Sequence, residues 1–295
     1  MPPAAGGTPR PSGAHHLSFP SPEVSEMLLP PSVRPVEGPA DPTSREAWTR
    51  AADNYLAHCA RAANWNKLIE IPAMRRLLGE ARGKRTLEVG CGPAHYSVWL
   101  AQQGAEAWGL DPVAALLEAA RGSAEAAGVE LRLRPGGVEC LADYPDAHFD
   151  MVLFPMMLEY VDDLASTFRQ ANRLLTAEGF VAISVVHPMR SFNVKHETEE
   201  GEELRIVSGY LHSGVFEWSQ WIMRDADGND IPCRSHRRTI EEYVEALIGA
   251  GFLIEALREP DASPEGWLLD PRTCRENHHC PNFLLLKAAK DARRL

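Results

Sequence analysis

The residues with the clearest chemical potential lie where a predicted strand meets a predicted helix. The stretch reads Arg85-Thr86-Leu87-Glu88-Val89-Gly90-Cys91-Gly92-Pro93-Ala94. Its apolar, β-prone beginning stops at Gly90, and the apolar spacing of a helix starts at His95. Because small residues at such a turn let a ligand approach the backbone and the helix amides, the stretch predicts a nucleotide-binding corner. An ordinary tight turn is the alternative.

Two side chains narrow the kind of ligand that this corner can bind. His95 occupies the last position of the G-x-G-x-x-G pattern, where a dinucleotide-binding loop has Gly or Ala. Glu88 lies two residues before Gly90, and its carboxylate would repel a pyrophosphate but attract a cation. The corner therefore favours a nucleoside that carries positive charge and no phosphate. These two residues disfavour the alternative enzyme class, a nicotinamide-dependent oxidoreductase.

Asp111 is the candidate for binding the ribose of such a nucleoside. It follows a predicted strand and lies 23 residues after Glu88. This interval is close to the roughly 20 residues at which an acid meets ribose hydroxyls in a βαβ unit. A carboxylate can accept hydrogen bonds from two adjacent hydroxyls, which is why an acid is needed there. Capping the helix that Pro112 begins is a compatible alternative.

The stretch from Glu88 to Ala94 resembles the first motif of class I S-adenosylmethionine-dependent methyltransferases, acid-x-Gly-x-Gly-x-Gly. Glu88, Gly90 and Gly92 match the motif, and Ala94 replaces the third glycine. The resemblance extends over residues 45–290. Within this class, the chain resembles bacterial methyltransferases that tailor small natural products. It implies S-adenosylmethionine as cofactor, S-adenosylhomocysteine as product, and methyl transfer by direct displacement.

The resemblance also implies a set of cofactor-binding residues. In the family, the turn after the third strand usually has an acid that receives the adenine amino group, but here Gly137 occupies its position. We therefore expect the Val138 amide or Glu139 to replace that acid. Helices before the first motif form a lid over the cofactor in many relatives, so Tyr55 or Asn66 could touch it; ordinary helix packing is the alternative. The expected set is Glu88, Gly90, Cys91, Gly92, Asp111, Pro112, Val138, Glu139 and Tyr55.

Three residues are candidates for a general base: His187, His236 and Tyr160. His187 follows the fifth predicted strand, and ligands of open α/β sheets bind outside the carboxyl ends of the strands. Histidine is also the commonest base near neutral pH. Support of the loop before Pro188 is the alternative for His187. Tyr160 occupies a position where the resembled family often has His.

Aromatic residues after the fifth strand are the predicted wall of an acceptor site. Stacked aromatic side chains would suit a flat, apolar acceptor, whose methylated atom could be an indole-type carbon, an oxygen or a nitrogen. A small satellite core is the alternative for these residues. The predicted acceptor-binding residues are Trp218, Trp221, Tyr210, Phe216 and Glu159.

A catalytically silent methyltransferase-like scaffold is the alternative function, favoured by Gly137 and Ala94.

The elements that must position these residues alternate between helix and strand. Helices are predicted over 45–61, 71–80, 95–103, 112–128, a segment that ends near 175, and 240–251. Strands are predicted over 86–89, 105–110, 129–134, 149–155, 179–186, 253–257 and 283–286. With the resemblance, this order implies an α/β fold: a Rossmann-like, doubly wound, seven-stranded sheet whose last strand is antiparallel. An N-terminal helical lid and an insertion after strand five complete the predicted fold.

The same pattern divides the chain into an arm and one domain. Residues 1–42 are rich in proline and poor in aromatic residues, which predicts a flexible arm. The methyltransferase domain is expected over 43–295. Within it, residues 43–83 form the lid and residues 189–236 the insertion that carries the acceptor pocket.

Composition and charge limit the kinds of partner that the protein is expected to bind. The net charge of −11 argues against a nucleic-acid partner, because phosphate binding needs clustered Lys and Arg. The sequence shows neither a secretory signal nor the roughly 20 apolar residues that span a bilayer. Its six cysteines form no C-x-x-C pair and indicate reduced thiols and no metal site. We therefore expect a cytoplasmic enzyme with a small-molecule acceptor, without nucleic acid, membrane or metal.

Overall fold

The computed structural model describes residues 33–41, 43–191, 193–197, 203–207, 209–219 and 222–291. The helices are α1 Thr43–Ala60, α2 Ile71–Leu78, α3 His95–Gln102, α4 Ala114–Ala127, α5 Leu164–Leu174, α6 Pro188–Ser191, α7 Ile240–Gly249, α8 Pro264–Leu269 and α9 Pro271–His279. The strands are β1 Val33–Pro35, β2 Arg85–Val89, β3 Glu106–Asp111, β4 Leu131–Pro135, β5 Phe149–Pro155, β6 Leu175–Val186, β7 Asn193–Glu197, β8 Glu203–Val207, β9 Gly214–Trp218, β10 Cys233–Arg237, β11 Phe252–Arg258 and β12 Phe283–Lys290.

A mixed sheet forms the centre of the molecule. Among the described residues it has seven strands, in the order β11-β12-β6-β5-β2-β3-β4. Strands β2 to β6 pair in parallel, whereas β12 is antiparallel to both β6 and β11. The predicted α/β sheet with an antiparallel last strand is therefore confirmed. Its order reverses between β2 and β5, and crevices that bind ligands form at such a switch point.

Successive side chains of the central strands point to opposite faces of the sheet. Helices pack on both faces, so both sets of side chains are buried. Leu153 packs into a cluster with Met74 of α2 and Leu100 of α3. Its neighbour Phe154 packs on the other face, in a cluster with Phe168 of α5. Both β5 side chains are fully buried. Burial of each one contributes about 1.5–3 kcal/mol, so the carboxyl ends of these strands are held rigidly.

Helix α1 crosses above the carboxyl end of β3. Its Ala52 packs against Val113 and Leu116, which open α4. Because side chains seven positions apart lie on one helix face, Trp48 and Tyr55 of α1 join the same contact. A π-helical turn, Asn66–Glu70, then leads into α2. The N-terminal helices therefore cover the switch point of the sheet.

The predicted boundary of the proline-rich arm at residue 42 is wrong for its last described residues. Strand β1 pairs with β9, which also pairs with β10, so residues before position 42 complete a three-stranded antiparallel sheet. Val33 is buried, and Pro35 is tolerated because β1 is an edge strand. The rest of the arm, residues 1–32 and 42, lies outside the described residues.

The segment predicted as an insertion, residues 189–236, contains α6 and strands β7 to β10. Strands β7 and β8 form an antiparallel pair, and β9 and β10 belong to the sheet that contains β1. A role of this segment in acceptor binding stays a prediction. Every helix within the described ranges is either too short or too polar to cross a lipid bilayer.

Candidate active site

Two adjoining cavities open at the switch point of the sheet. The aromatic cavity is lined by residues that include Trp48, Gly92, Asp111, Val138, Glu139 and Tyr160. The polar cavity is lined by residues that include Asn64, Asn66, Lys67, Glu70, Glu88 and His95. The two cavities share a neck formed by Tyr55, Gly90, Pro155 and Met156. The aromatic cavity is partly open to solvent, so a ligand can enter it.

All nine predicted cofactor-binding residues line one of these cavities. The polar cavity contains Glu88 and Cys91. The other seven residues line the aromatic cavity: Tyr55, Gly90, Gly92, Asp111, Pro112, Val138 and Glu139. The fold therefore brings together side chains that are far apart in the sequence, because β2, β3 and β4 all end at the same edge of the sheet.

The turn after β2 depends on its glycines. Gly90 has φ of 69°, in the left-handed region, and a Cβ there would lie 2.8 Å from the Cβ of Met157. Glycine is required at this position by both the backbone and the contact. Ala94 precedes α3 and also adopts a left-handed conformation, with φ of 63°. The third glycine of the resembled motif is therefore replaced by a residue that tolerates this conformation at some cost.

Asp111 is held by two backbone amides. Its Oδ2 accepts a hydrogen bond from the Gly92 amide and its Oδ1 one from the Val113 amide, each at 2.8 Å. Helix α4 has Val113 and not Asp111 as its N-cap, so the predicted capping role is not observed. Burial raises the pKa of Asp111, and the two amide hydrogen bonds oppose that shift. Each oxygen can accept another hydrogen bond, so the carboxylate can bind two neighbouring hydroxyls in the aromatic cavity.

Glu88 is a buried acid that is 2% exposed. Its Oε2 accepts hydrogen bonds from the amide of Ser97 at 2.7 Å and from the hydroxyl of Ser97 at 2.6 Å. Burial raises the pKa of Glu88 to about 7 despite these hydrogen bonds. A cation in the polar cavity would favour the charged carboxylate and reverse this shift.

The turn after β4 shows what occupies the position of the missing acid. Glu139 folds back so that its Oε1 accepts a hydrogen bond from the Gly137 amide at 3.1 Å. A Cβ built on Gly137 would lie only 2.5 Å from Oε2 of Glu139. The Glu139 carboxylate therefore occupies the space of a side chain at position 137. Arg45 of α1 pairs with Glu139 at 3.2 Å and connects the N-terminal helix to this turn.

Aromatic and thioether side chains form the wall between this turn and the neck. The ring of Trp48 packs edge-to-face against Tyr55, at 5.2 Å between centroids, and against Tyr160, at 5.7 Å. Met156, directly after β5, has φ of 52°, an uncommon conformation for a residue with a side chain. Strained residues cluster at functional sites.

The structure places both candidate histidine bases away from the cavities. His187 is fully buried; its Nε2 lies 2.8 Å from Oε1 of Glu259, and its Nδ1 accepts a hydrogen bond from the Met189 amide at 3.1 Å. Both ring nitrogens are therefore used in supporting the loop after β6, which is the alternative role. His236 lies 2.7 Å from Asp162, outside both cavity walls. Of the three candidates only Tyr160 faces a cavity, and burial raises its pKa well above the usual value.

Four of the predicted acceptor-binding residues have structural contacts instead of a position in the cavity walls. The hydroxyl of Tyr210 accepts a hydrogen bond from the Ile240 amide at 3.1 Å, at the start of α7. Phe216 is buried beneath the guanidinium of Arg237. Trp218 donates a hydrogen bond to Ser235, and Glu159 accepts one from the Val186 amide. Trp221 lies outside the described residues.

Trp218 still supports the aromatic cavity from behind. It packs in one cluster with Trp48 and Tyr160, whose rings line the cavity. The satellite-core alternative therefore describes Trp218 and Phe216 better than direct acceptor binding. The sequence does indicate this wall, because Trp48 and Tyr55 lie seven residues apart on α1 and so share one face of the helix. Trp48 was nevertheless not among the predicted site residues.

Comparison with known proteins identifies the family. A family model described as a methyltransferase domain matches residues 87–183, from β2 to β6. The crystal structure of an S-adenosylmethionine-dependent methyltransferase from Mesorhizobium loti is 28% identical, with a TM-score of 0.62. The match covers 74% of this chain and 96% of that chain. The chain is a class I S-adenosylmethionine-dependent methyltransferase. S-adenosylmethionine is therefore its cofactor.

Two further relatives show how far the likeness of this methyltransferase extends. A ubiquinone biosynthesis O-methyltransferase from Alkalilimnicola ehrlichii is 36% identical over 154 residues, which is 52% of this chain and 61% of that enzyme. A 1,6-didemethyltoxoflavin-N1-methyltransferase from Burkholderia thailandensis, solved with its acceptor and S-adenosylhomocysteine, is 16% identical with a TM-score of 0.52. The match covers 88% of this chain and 94% of that chain and shows the fold alone.

Proposed function

We propose that this methyltransferase methylates a small aromatic or apolar acceptor of the natural-product type, which binds against the wall at Trp48 and Tyr160. The observation that carries the proposal is the composition of that wall. It borders the neck between the cavities, and its rings present flat, apolar surfaces. The names of the two relatives refer to ubiquinone biosynthesis and to 1,6-didemethyltoxoflavin, which supports a small-molecule acceptor.

The residues of the two cavities divide the binding of the cofactor between them. Asp111 would accept the ribose hydroxyls, and Val138 and Glu139 would bind the adenine edge. Glu88 would face the cationic end of the cofactor in the polar cavity. The neck residues Tyr55 and Met156 would hold the reacting centre between the two cavities. S-adenosylmethionine, when bound, supplies an electrophilic methyl group on its sulfonium.

The titratable groups of the aromatic cavity favour an acceptor that needs no base from the enzyme. Tyr160 and Tyr55 are protonated at neutral pH, because burial raises the pKa of each phenol well above its usual range. Asp111 and Glu139 already accept backbone hydrogen bonds, and Asp41 pairs with Arg45. Rate enhancement would then come mainly from positioning the acceptor in line with the methyl group. An electron-rich ring carbon, a neutral amine or an already ionised oxygen fits this chemistry.

Binding and transfer experiments test the proposal separately. Calorimetry should show saturable binding of S-adenosylhomocysteine and no binding of NAD. Transfer of labelled methyl groups should then be measured over a panel of small aromatic and aliphatic acceptors. Trp48→Ala should reduce kcat/KM for aromatic acceptors at least about tenfold, because it removes a stacking surface. Trp99→Ala, which truncates a ring outside both cavities, is the matched control.

Two outcomes would contradict the proposal. Binding of NAD alone would indicate an oxidoreductase. Binding of S-adenosylhomocysteine without transfer to any acceptor in the panel would favour the silent scaffold instead. A preference for aliphatic acceptors that Trp48→Ala leaves unchanged would exclude the aromatic wall as the acceptor site.

A further inference from the structure

Glu70 is a fully buried acid with no role in the cofactor site as described so far. It ends the π-helical turn Asn66–Glu70 and is 1% exposed. Its Oε1 accepts a hydrogen bond from the Ser184 hydroxyl and its Oε2 one from the Tyr96 hydroxyl, each at 2.6 Å. These contacts join α2, α3 and β6 around one carboxylate. The side chain also lines the polar cavity.

The polar cavity therefore contains two buried acids, Glu70 and Glu88. Neither carboxylate forms an ion pair with a described residue, and both accept hydrogen bonds only from neutral groups. Burying two uncompensated charges side by side is costly. Burial raises the pKa of Glu70, and the charge of Glu70 adds to the raised pKa of Glu88. Such a pair is complementary to a bound cation.

The backbone that presents Glu70 is irregular for an identifiable reason. Pro72, near the start of α2, lacks the N–H that an α-helix would direct to the carbonyl of Leu68. The chain forms a π-helical turn immediately before this proline, and π-turns are frequent at functional sites. Leu68 and Ile69 of the turn pack into the core. Glu70 instead lies among hydroxyl groups at the floor of the cavity.

The lining of the polar cavity also includes residues with N–H groups. Asn64, Asn66 and Lys67 line it, and they supply amide and ammonium N–H groups. A cavity lined by both acids and N–H groups is complementary to a zwitterion. The amino-acid end of the cofactor is such a group, with one ammonium and one carboxylate.

We propose that Glu70, together with Glu88, binds the ammonium of the cofactor's amino-acid end, so that Glu70 is a specificity-determining residue for that end. This inference rests on the proposed cofactor arrangement. Glu70 would then discriminate between cofactor products that retain the amino-acid end and nucleosides that lack it. The hydroxyls of Tyr96 and Ser184 position its carboxylate toward the cavity.

Calorimetry tests the assignment by comparing the affinities of three ligands for the unaltered protein and for its variants. The ligands are S-adenosylhomocysteine, its analogue without the amino group, and 5′-methylthioadenosine, which lacks the whole amino-acid end. Glu70→Gln should weaken S-adenosylhomocysteine binding at least about tenfold, the range for a charged hydrogen bond. The same variant should change the affinities for the other two ligands less than about twofold. Glu241→Gln, on the exposed surface of α7, is the matched control.

A second pair of variants keeps the test informative if Glu70→Gln does not fold. Tyr96→Phe and Ser184→Ala each remove one hydroxyl that holds the carboxylate. Each should weaken S-adenosylhomocysteine binding and leave 5′-methylthioadenosine binding unchanged. Equal losses for both ligands, or no loss for S-adenosylhomocysteine, would overturn the role of Glu70. Failure of the unaltered protein to bind S-adenosylhomocysteine at all would instead overturn the proposed function.

Discussion

At the scale of single residues, Glu139 replaces a missing side chain from two positions away. Its carboxylate lies where a side chain at position 137 would begin. If it accepts the amino group of adenine, the unaltered protein should prefer S-adenosylhomocysteine to S-inosylhomocysteine by at least about tenfold. Glu139→Gln should remove most of that preference. Calorimetric affinities for the two nucleosides measure it, and Glu130→Gln on the exposed surface is the control.

Placing an acid at position 137 in a variant that lacks Glu139 provides an independent check that Glu139 binds adenine. Gly137 has an ordinary negative φ of −108°, so the main obstacle to a side chain there is the Glu139 carboxylate. The double variant Gly137→Asp, Glu139→Ala should therefore recover the preference for adenine that Glu139→Ala alone loses. If the single variant keeps its full preference, Glu139 does not bind adenine.

The raised pKa of Glu88 leads to a prediction about pH. Because its pKa is about 7 before a cation binds, the charged form must be generated on binding when the pH is lower. The affinity for S-adenosylhomocysteine should thus fall as the pH drops from 8 to 6. Glu70, His58 and His95 face the same cavity and contribute to this dependence. Calorimetry at several pH values should show a flatter profile for Glu88→Gln; an unchanged profile would contradict the prediction.

Residue types at fixed spacings could be predicted where the chemistry is local. Glu88, Gly90 and Asp111 were found because one βαβ unit determines their positions. Glu70 was missed although it interrupts the apolar run Leu68-Ile69-Glu70-Ile71, which indicates a buried acid. His187 was placed at the correct edge of the sheet, but nothing in the sequence shows that Glu259, 72 residues later, binds its ring.

At the scale of elements, the small sheet of β1, β9 and β10 links the N-terminal residues to the aromatic wall. Val33 of β1 is buried and pairs with Trp218, which packs with Trp48. Val33→Asp should lower the free energy of unfolding by about 2–4 kcal/mol, because it places a charge in an apolar contact. Denaturant unfolding measures the change. Arg34→Ala, at an exposed neighbour whose side chain pairs with Glu217, should cost less than about 1 kcal/mol.

The elements that the sequence did not predict share a physical cause. Strand β1 has three residues and gains its stability from pairing with a segment about 180 positions away, which no local pattern records. Helices α8 and α9 lie between the strands predicted at 253–257 and 283–286, where no element was predicted. Both begin with Pro after a capping residue, Ser263 or Asp270, so their start signals were present. Their short lengths give too few turns for a clear apolar period.

At the scale of the whole molecule, the site combines a part that sequence can predict with a part that it cannot. The cofactor half is made by strands that follow one another along the chain, so the motif and the strand order determine it. The acceptor half joins α1, the segment after β5 and the satellite cluster of Trp218. Side chains from these distant segments meet only through tertiary packing, which no local pattern records. The aromatic residues of 189–236 were therefore predicted to line the cavity, whereas Trp218 packs behind its wall.

The positions of the two histidines lead to the last prediction, about how the whole site works. If positioning provides the rate enhancement, His187→Gln and His236→Gln should each keep at least about half of the kcat per folded protein. His187→Gln should nevertheless lower thermal stability, because it disrupts the contact with Glu259. Turnover should be measured at saturating acceptor between pH 6 and 9, after the folded fraction of each variant is determined. A hundredfold loss of kcat, or loss of a kinetic pKa, in either folded variant would restore a histidine base and exclude the base-free reaction.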